Sequence, residues 1–347
     1  MIYGLPYKGS KSKLAERIFD LFPKAEHFYD LFSGGCAVAH CALSKNKFSH
    51  IHINDINPLM PKAFCMALNG EFVKEDRWIS RVDFFRLKDT DPYVAICFSF
   101  GNDLKTYAYS REIEPKKKAL HYAIFFDDFT LSDEEFGIDL RPISALQDRK
   151  ERYLLAKRLL RSSPPPKILL ENLQRLERMQ AAKHGKATED MGDYSKKEHT
   201  LRPAKCGNAA TTFFCKVCRT STASFYPPRK INDKSKKVAL TWSAADYQDV
   251  EIQENSVIYC DIPYKDTNTY AGKGASFDYE RFYEWCLRQK QPLFISSYEM
   301  PESDFKVVAE FARRDTLCAT NNSKLVAERV FMPRTQETRG NIQLSLF

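Results

Sequence analysis

The stretch SVIYCDIPYKDT, residues 256–267, delivers a carboxylate, a carbonyl and an aromatic ring at the end of a hydrophobic run. If the run is a strand, Asp261 and the carbonyl of Ile262 sit together at its exit, Pro263 stiffens the turn, and Tyr264 offers a ring face. That trio suits a planar exocyclic amine on a base. Two acceptors take its two N–H bonds, the nitrogen lone pair is aimed at an electrophile, and the phenol ring stacks on the base. The same residues also describe a plain Asp-x-Pro turn with Tyr264 packed inward. Cys260 precedes Asp261 and would suggest a thiol nucleophile, but strand alternation turns it away from its neighbour and makes it a core residue.

A second constellation lies near the N-terminus. In DLFSGGCAV, Asp30–Val38, a strand ends in a carboxylate, and Gly34 and Gly35 open the way into a helix. Such a turn lets a ligand approach the backbone at a carboxyl edge of a sheet, or is simply a strand-to-helix turn. The next strand, HIHIND, ends at Asp55. A carboxylate one strand over can take both hydroxyls of a ribose, or can cap the helix that starts near Pro58.

Placing these residues together requires a particular order of elements. SKSKLAERIFDLFP carries Leu14, Ile18, Leu21 and Phe22 on one helical side, with Pro23 as its stop. HFYDLF then reads as a strand, GGCAVAHCALSK as turn and helix, HIHIND as a strand and NPLMPKAFCMAL as a helix. Helix and strand in alternation predict a parallel sheet covered by helices. The rhythm stops near Asp76 and returns near Lys237. There VALTWSAADY reads as strand and loop, SVIYCDIPY as a strand, FDYERFYEWCLRQ as a helix and QPLFISSYEM as a strand. DFKVVAEFARR fits helix or strand, and KLVAERVFM reads as a last strand. The expected organisation is one discontinuous α/β domain, 1–75 with 238–335, an insertion over 76–237, and a tail over 336–347. Inside the insertion, helices are expected over about 116–129 and 167–183, with a flexible stretch after 183.

The chain of 347 residues is 43% hydrophobic and 28% charged, which describes a globular protein and excludes global disorder or collagen. No run approaches the roughly 18 apolar residues of a membrane span. Ten cysteines spread over this length, behind a start without a signal sequence, predict reduced thiols and a cytoplasmic protein. Lys and Arg number 53 against 45 Asp and Glu, and residues 151–240 alone hold 20 against 8. The excess positive charge therefore belongs entirely to the insertion, either as a solvated loop or as a surface for a polyanion.

In order, PYKGSKSKL, DLFSGGCAV, HINDIN and DIPY, with a long insertion before the last, resemble the Dam-type (D12 class) DNA adenine-N6 methyltransferases over about residues 3–70 and 238–335. The resemblance implies a Rossmann-like S-adenosylmethionine-dependent methyltransferase sheet with one antiparallel strand, and an inserted DNA target-recognition region. It implies bacterial or phage origin and transfer of methyl from S-adenosylmethionine to the N6 of a flipped adenine in double-stranded DNA. By motif, Tyr7 and Lys11 would meet the methionine end of the cofactor, with Gly9 giving room. Asp30, Phe32 and Gly34 would line its pocket, Asp55 would hold the ribose, and Asp246 and Tyr247 would reach its adenine. Asp261, Ile262, Pro263 and Tyr264 match the family's Asp-Pro-Pro-Tyr, Asp261 touching cofactor as well as base. Ile262 replaces the first proline, where only the carbonyl is used. Cys36 stands where the family usually has a glycine, and its side chain would crowd the cofactor if the backbone must approach closely there. Alternatives are a DNA-binding relative without transferase activity, or an amino methyltransferase acting on cytosine N4 or RNA adenine.

Lys and Arg interleaved with Tyr and Phe in SFYPPRKINDKSKK suit phosphates and an extruded base, which assigns Arg229, Lys230, Lys236 and Lys237 to DNA. Cys215 and Cys218 form a zinc half-site, with Cys206 and His199 as further ligands, or are plain thiols. The tail QLSLF either folds back onto the catalytic domain or serves as a docking peptide. In the second reading it resembles the Gln-Leu-x-Leu-Phe peptide that docks bacterial proteins on the DNA polymerase sliding clamp, with Gln343 and Leu344 leading and Leu346 and Phe347 filling an apolar pocket.

Overall fold

The computed structural model describes residues 3–161, 238–264, 277–314 and 325–336. Two compact units divide the chain. One takes its residues from 1–75, 84–106 and 224–347, and the other from 76–83 and 107–223.

The first unit is built on a seven-stranded sheet of order β3-β2-β1-β4-β5-β7-β6. Its strands are β1 (His27–Asp30), β2 (His50–Asn54), β3 (Ala239–Ser243), β4 (Ser256–Asp261), β5 (Leu293–Ser297), β6 (Phe305–Arg314) and β7 (Leu325–Pro333). The pairs β3-β2, β2-β1, β1-β4 and β4-β5 are parallel, while β7 runs antiparallel to both β5 and β6. One reversed strand in an otherwise parallel sheet is the Rossmann-like methyltransferase arrangement. DFKVVAEFARR, ambiguous in sequence, is therefore a strand, because β7 offers it a long antiparallel edge.

Central strands are buried on both faces, so VIYC in β4 and LFISS in β5 lack polar alternation. Strand parity sorts the core into two layers. Phe28, Ile51, Ile53, Val257, Tyr259, Phe294, Val330 and Met332 face α1 (Ala15–Phe19), α2 (Ala37–Lys45) and α3 (Leu59–Leu68). Tyr29, Ile258, Cys260, Ile295 and Phe331 share the opposite layer with Phe282, Trp285 and Cys286, which belong to a helix at Tyr279–Arg288. That helix is capped by Asp278, whose carboxylate accepts from the N–H of Arg281 at 3.0 Å.

Between β2 and β3 the chain forms α4 (Arg81–Leu87), α5 (Pro92–Cys97), α6 (Glu114–Phe126), α7 (Thr130–Phe136) and α8 (Arg149–Arg161), so the helix at Tyr279–Arg288 is α9. The second unit packs Leu120, Ile124, Leu140, Ile143, Tyr153 and Leu159 into a core of its own. The helix expected over about 116–129 is α6. The one expected over 167–183 lies outside the described residues, as do His199, Cys206, Cys215, Cys218, Arg229, Lys230, Lys236, Lys237, Gln343, Leu344, Leu346 and Phe347. The six cysteines among the described residues form no disulfide, and no helix there is long and apolar enough to cross a membrane.

Candidate active site

Parallel neighbours end on the same edge, so β1, β2 and β4 deliver Asp30, Asn54 and Asp261 to one rim of the sheet. Parity decides the face. Asp30 follows Phe28, Asp261 follows Val257 and Tyr259, and both turn toward the layer of α1–α3, while Cys260 is fully buried on the other side. Burial pushes the Cys260 thiol well above its ordinary range, which keeps it protonated and unreactive.

Asp261 Oδ1 is held twice, by the Lys11 ammonium at 2.7 Å and by the Tyr264 hydroxyl at 3.2 Å. Among the described residues, no donor reaches Asp261 Oδ2 or the Ile262 carbonyl. The Pro263 carbonyl, by contrast, accepts from the Tyr279 hydroxyl at 3.0 Å, which braces the turn. Lys11 is 4% exposed, lies 4.9 Å from the centre of the Tyr264 ring, and reaches a second carboxylate, Glu328 on β7, at 3.6 Å. Glu328 is fully buried and shares the single proton of the Tyr264 hydroxyl with Asp261, its own contact with that hydroxyl being the shorter. Burial and the two carboxylates push the Tyr264 phenol well up, so its ring stays neutral.

Asp30 is buried and takes one N–H, from Ala39 at 3.3 Å, on Oδ2. Its Oδ1 has no hydrogen-bond partner among the described residues. Burial, and then the Asp261 carboxylate, push its pKa well up, because a second negative charge beside Asp261 away from water is disfavoured. Asp55 accepts from the N–H of Gly34 at 2.8 Å and of Asn57 at 2.9 Å, tying the glycine loop to the start of α3. Just ahead of α3, whose N-cap is Pro58, the Asn57 side chain accepts from the Leu59 N–H at 3.1 Å.

The glycine pair answers first to packing within the chain. A Cβ at Gly35 would come 2.7 Å from the Leu5 carbonyl, and one at Gly34 would come 2.9 Å from the Tyr7 ring. Tyr7 is thereby laid along the loop. Cys36 follows in the left-handed region, φ 56°, which explains why a glycine suits this position. Its side chain is fully buried in the core with Ala39, Met60 and Ala63.

Phe32 and Tyr247 come together with ring centroids 5.3 Å apart, and Phe277 lies 5.8 Å from Phe32. Asp246 pairs with Arg281 at 3.1 Å, so that predicted site residue is anchored to α9. Gly9 lies in the Tyr7–Lys11 turn with φ 82°, and its carbonyl accepts from Lys11 at 3.5 Å.

Sequence reasoning missed Asn54 and Glu328. The Asn54 amide donates to the carbonyls of Leu31 (3.1 Å) and Ala245 (3.0 Å), and its oxygen accepts from the Ser243 hydroxyl (2.7 Å) and the Ala245 N–H (3.0 Å). It knits the loops after β1 and β3 at the rim. Glu328 had a readable signal, a charge in phase with Val330 and Met332 on a strand whose other buried-phase residues are apolar.

Residues 7–94 match the sequence model of the D12 class N6 adenine-specific DNA methyltransferases. No curated protein matches the chain. The matched region holds Tyr7, Gly9, Lys11, Asp30, Phe32, Gly34 and Asp55, whereas Asp246, Tyr247 and Asp261–Tyr264 lie beyond it. The match supports DNA adenine methylation, and with it S-adenosylmethionine as the methyl source. The residues present fit such a group: Asp30 has a buried carboxyl oxygen without a partner among the described residues, and the Phe32, Tyr247 and Phe277 rings suit a planar base.

Proposed function

We propose that this chain is a site-specific DNA adenine-N6 methyltransferase acting on a flipped adenine. The observation that carries the reading is the asymmetric use of Asp261. Its Oδ1 is clamped by Lys11 and Tyr264, while Oδ2 and the Ile262 carbonyl are left as two adjacent acceptors for the two hydrogens of an amine. S-adenosylmethionine supplies an electrophilic methyl on a sulfonium. Tyr7, Gly9, Lys11, Asp30, Phe32, Gly34, Asp55, Asp246, Tyr247 and Asp261 would hold it.

With that group bound, its methyl would pass to the N6 lone pair, the electrons of the broken S–C bond staying on sulfur. Asp261 and the Ile262 carbonyl stabilise the positive charge that develops on N6, and one N6 proton then leaves toward solvent by way of Asp261. Tyr264 holds the ring of the base. No covalent enzyme intermediate is required, consistent with the buried, protonated Cys260.

In this reading residues 76–237 hold the double-stranded DNA, with Arg229, Lys230, Lys236 and Lys237 on phosphates. Neutralising those four weakens binding and flattens its salt dependence. The tail, through Gln343, Leu344, Leu346 and Phe347, docks on a bacterial sliding clamp and raises the local concentration of enzyme at new DNA. Deleting residues 343–347 then abolishes clamp pull-down and leaves methylation of free oligonucleotides intact. Mass analysis of nucleosides from a labelled reaction tests the central claim. N6-methyladenine in DNA is expected, and N4-methylcytosine or methylated RNA adenine in its place would overturn it.

A further inference from the structure

Lys11 stands between two carboxylates, 2.7 Å from Asp261 and 3.6 Å from Glu328. Burying an ammonium at 4% exposure beside a glutamate at 0% forfeits the hydration of both, and buried ion pairs are poor stabilisers against apolar residues of similar size. Their presence at the rim of a reaction site calls for an electrostatic purpose. With Asp261 as its sole counter-ion, Lys11 would cancel the charge that a developing cation on N6 needs. Glu328 competes for the same ammonium and, through the Tyr264 hydroxyl, holds the ring that shares Asp261 Oδ1.

We infer that Glu328 is a positioning residue for methyl transfer: by drawing on the charge of Lys11 and fixing Tyr264, it keeps Asp261 negative toward the sulfonium and the developing N6 cation. The inference rests on the methyltransferase reading. Whatever else surrounds it, replacing Glu328 by Gln shifts the charge of the site by one positive unit while keeping an oxygen for the Tyr264 hydroxyl. The effect falls on cations and spares neutral ligands.

Two ligands isolate that effect. S-adenosylmethionine carries the sulfonium charge, and S-adenosylhomocysteine is its neutral thioether counterpart, so contacts common to both cancel in the ratio of their affinities. Titration calorimetry on the full chain is expected to show that Glu328→Gln lowers the sulfonium-to-thioether ratio about tenfold, the order expected of one unit charge across a partly screened site. Glu328→Asp keeps the charge and should keep the ratio. Lys11→Met removes a positive charge and should raise the ratio, an opposite sign that a packing defect does not produce. It also serves if Glu328→Gln fails to fold. Turnover of Glu328→Gln on duplex DNA should fall about 10- to 100-fold.

An equal loss for both ligands in Glu328→Gln would reduce Glu328 to a structural residue, and an unmoved ratio in Lys11→Met would overturn the charge account. Failure of the underlying reading looks different. In that case the unsubstituted chain binds neither ligand, or methylates no adenine.

Discussion

In the proposed reading Asp261 acts at the rim through two oxygens with different neighbours, and truncating it separates folding from chemistry. Asp261→Ala removes one partner of Lys11 but leaves Glu328 beside the ammonium, so the fold persists with a melting temperature lowered by a few degrees. Methyl transfer to duplex DNA should fall by about 10³-fold or more, since an acceptor aimed at developing charge is lost. Retention of the original rate would dismiss Asp261 from the site. Cys36 poses a conformational question instead. A non-glycine residue at φ 56° costs on the order of 1–2 kcal/mol, and its buried thiol recovers a similar amount by packing. Cys36→Gly should therefore leave the unfolding free energy within about 1 kcal/mol. Cys36→Val, stiff at Cβ and forced into the same backbone region, should lose about 2 kcal/mol or more. Denaturant titration of the two variants decides whether backbone or packing governs the position.

At the scale of elements, three parallel strands present their ends together only if the loops beyond them are tied. Asn54 does this with four hydrogen bonds to Leu31, Ser243 and Ala245. Asn54→Ala strands several of those groups, and a loss of about 2–4 kcal/mol in stability is expected from chemical denaturation. Cofactor affinity should fall as well, since Asp55 and Phe32 leave the rim on the loops that Asn54 secures. The alternation of helix and strand in residues 10–70 was legible because each element has its own apolar phase. β6 was not, since DFKVVAEFARR satisfies either period and its identity depends on the antiparallel edge of β7, which is remote in sequence. Glu328 shares that fate, because its register beside Lys11 and Asp261 exists only once β7 is inserted between β5 and β6.

Among the described residues each of the two units has hydrophobic packing of its own, and the helical unit carries its own pH sensitivity. His121 is buried against Phe125, with ring centroids 4.2 Å apart, and its Nε2 lies 2.6 Å from the Asp76 carbonyl. Its Nδ1 has no hydrogen-bond partner among the described residues, so a second proton would be buried unpaired. Burial pushes its pKa down from 6.5 to about 4. Between those values the unfolded chain binds a proton that the folded unit refuses. Stability present above pH 6.5 is therefore lost as pH falls toward 4. The loss between pH 7 and pH 5 should be about 2 kcal/mol from this residue. His121→Phe should shrink that difference, at a cost of about 1 kcal/mol at pH 7 for the hydrogen bond to Asp76. Urea titrations at both pH values read the two effects separately, and an unchanged pH 7 to pH 5 difference would move the titrating group elsewhere.

Local sequence determined the α/β rhythm of the first 70 residues, the carboxyl-edge positions of Asp30, Asp55 and Asp261, and the inward turn of Cys260. Each depends on periodicity or strand termination within a few residues. Tertiary structure decided which oxygen of Asp261 faces Lys11, why Gly34 and Gly35 must lack side chains beneath Tyr7 and Leu5, and that Glu328 joins the site from the far end of the chain. The physical reason is separation. Lys11, Asp261 and Glu328 lie far apart in sequence, and only the order of strands in the folded sheet brings their charges within reach of one another.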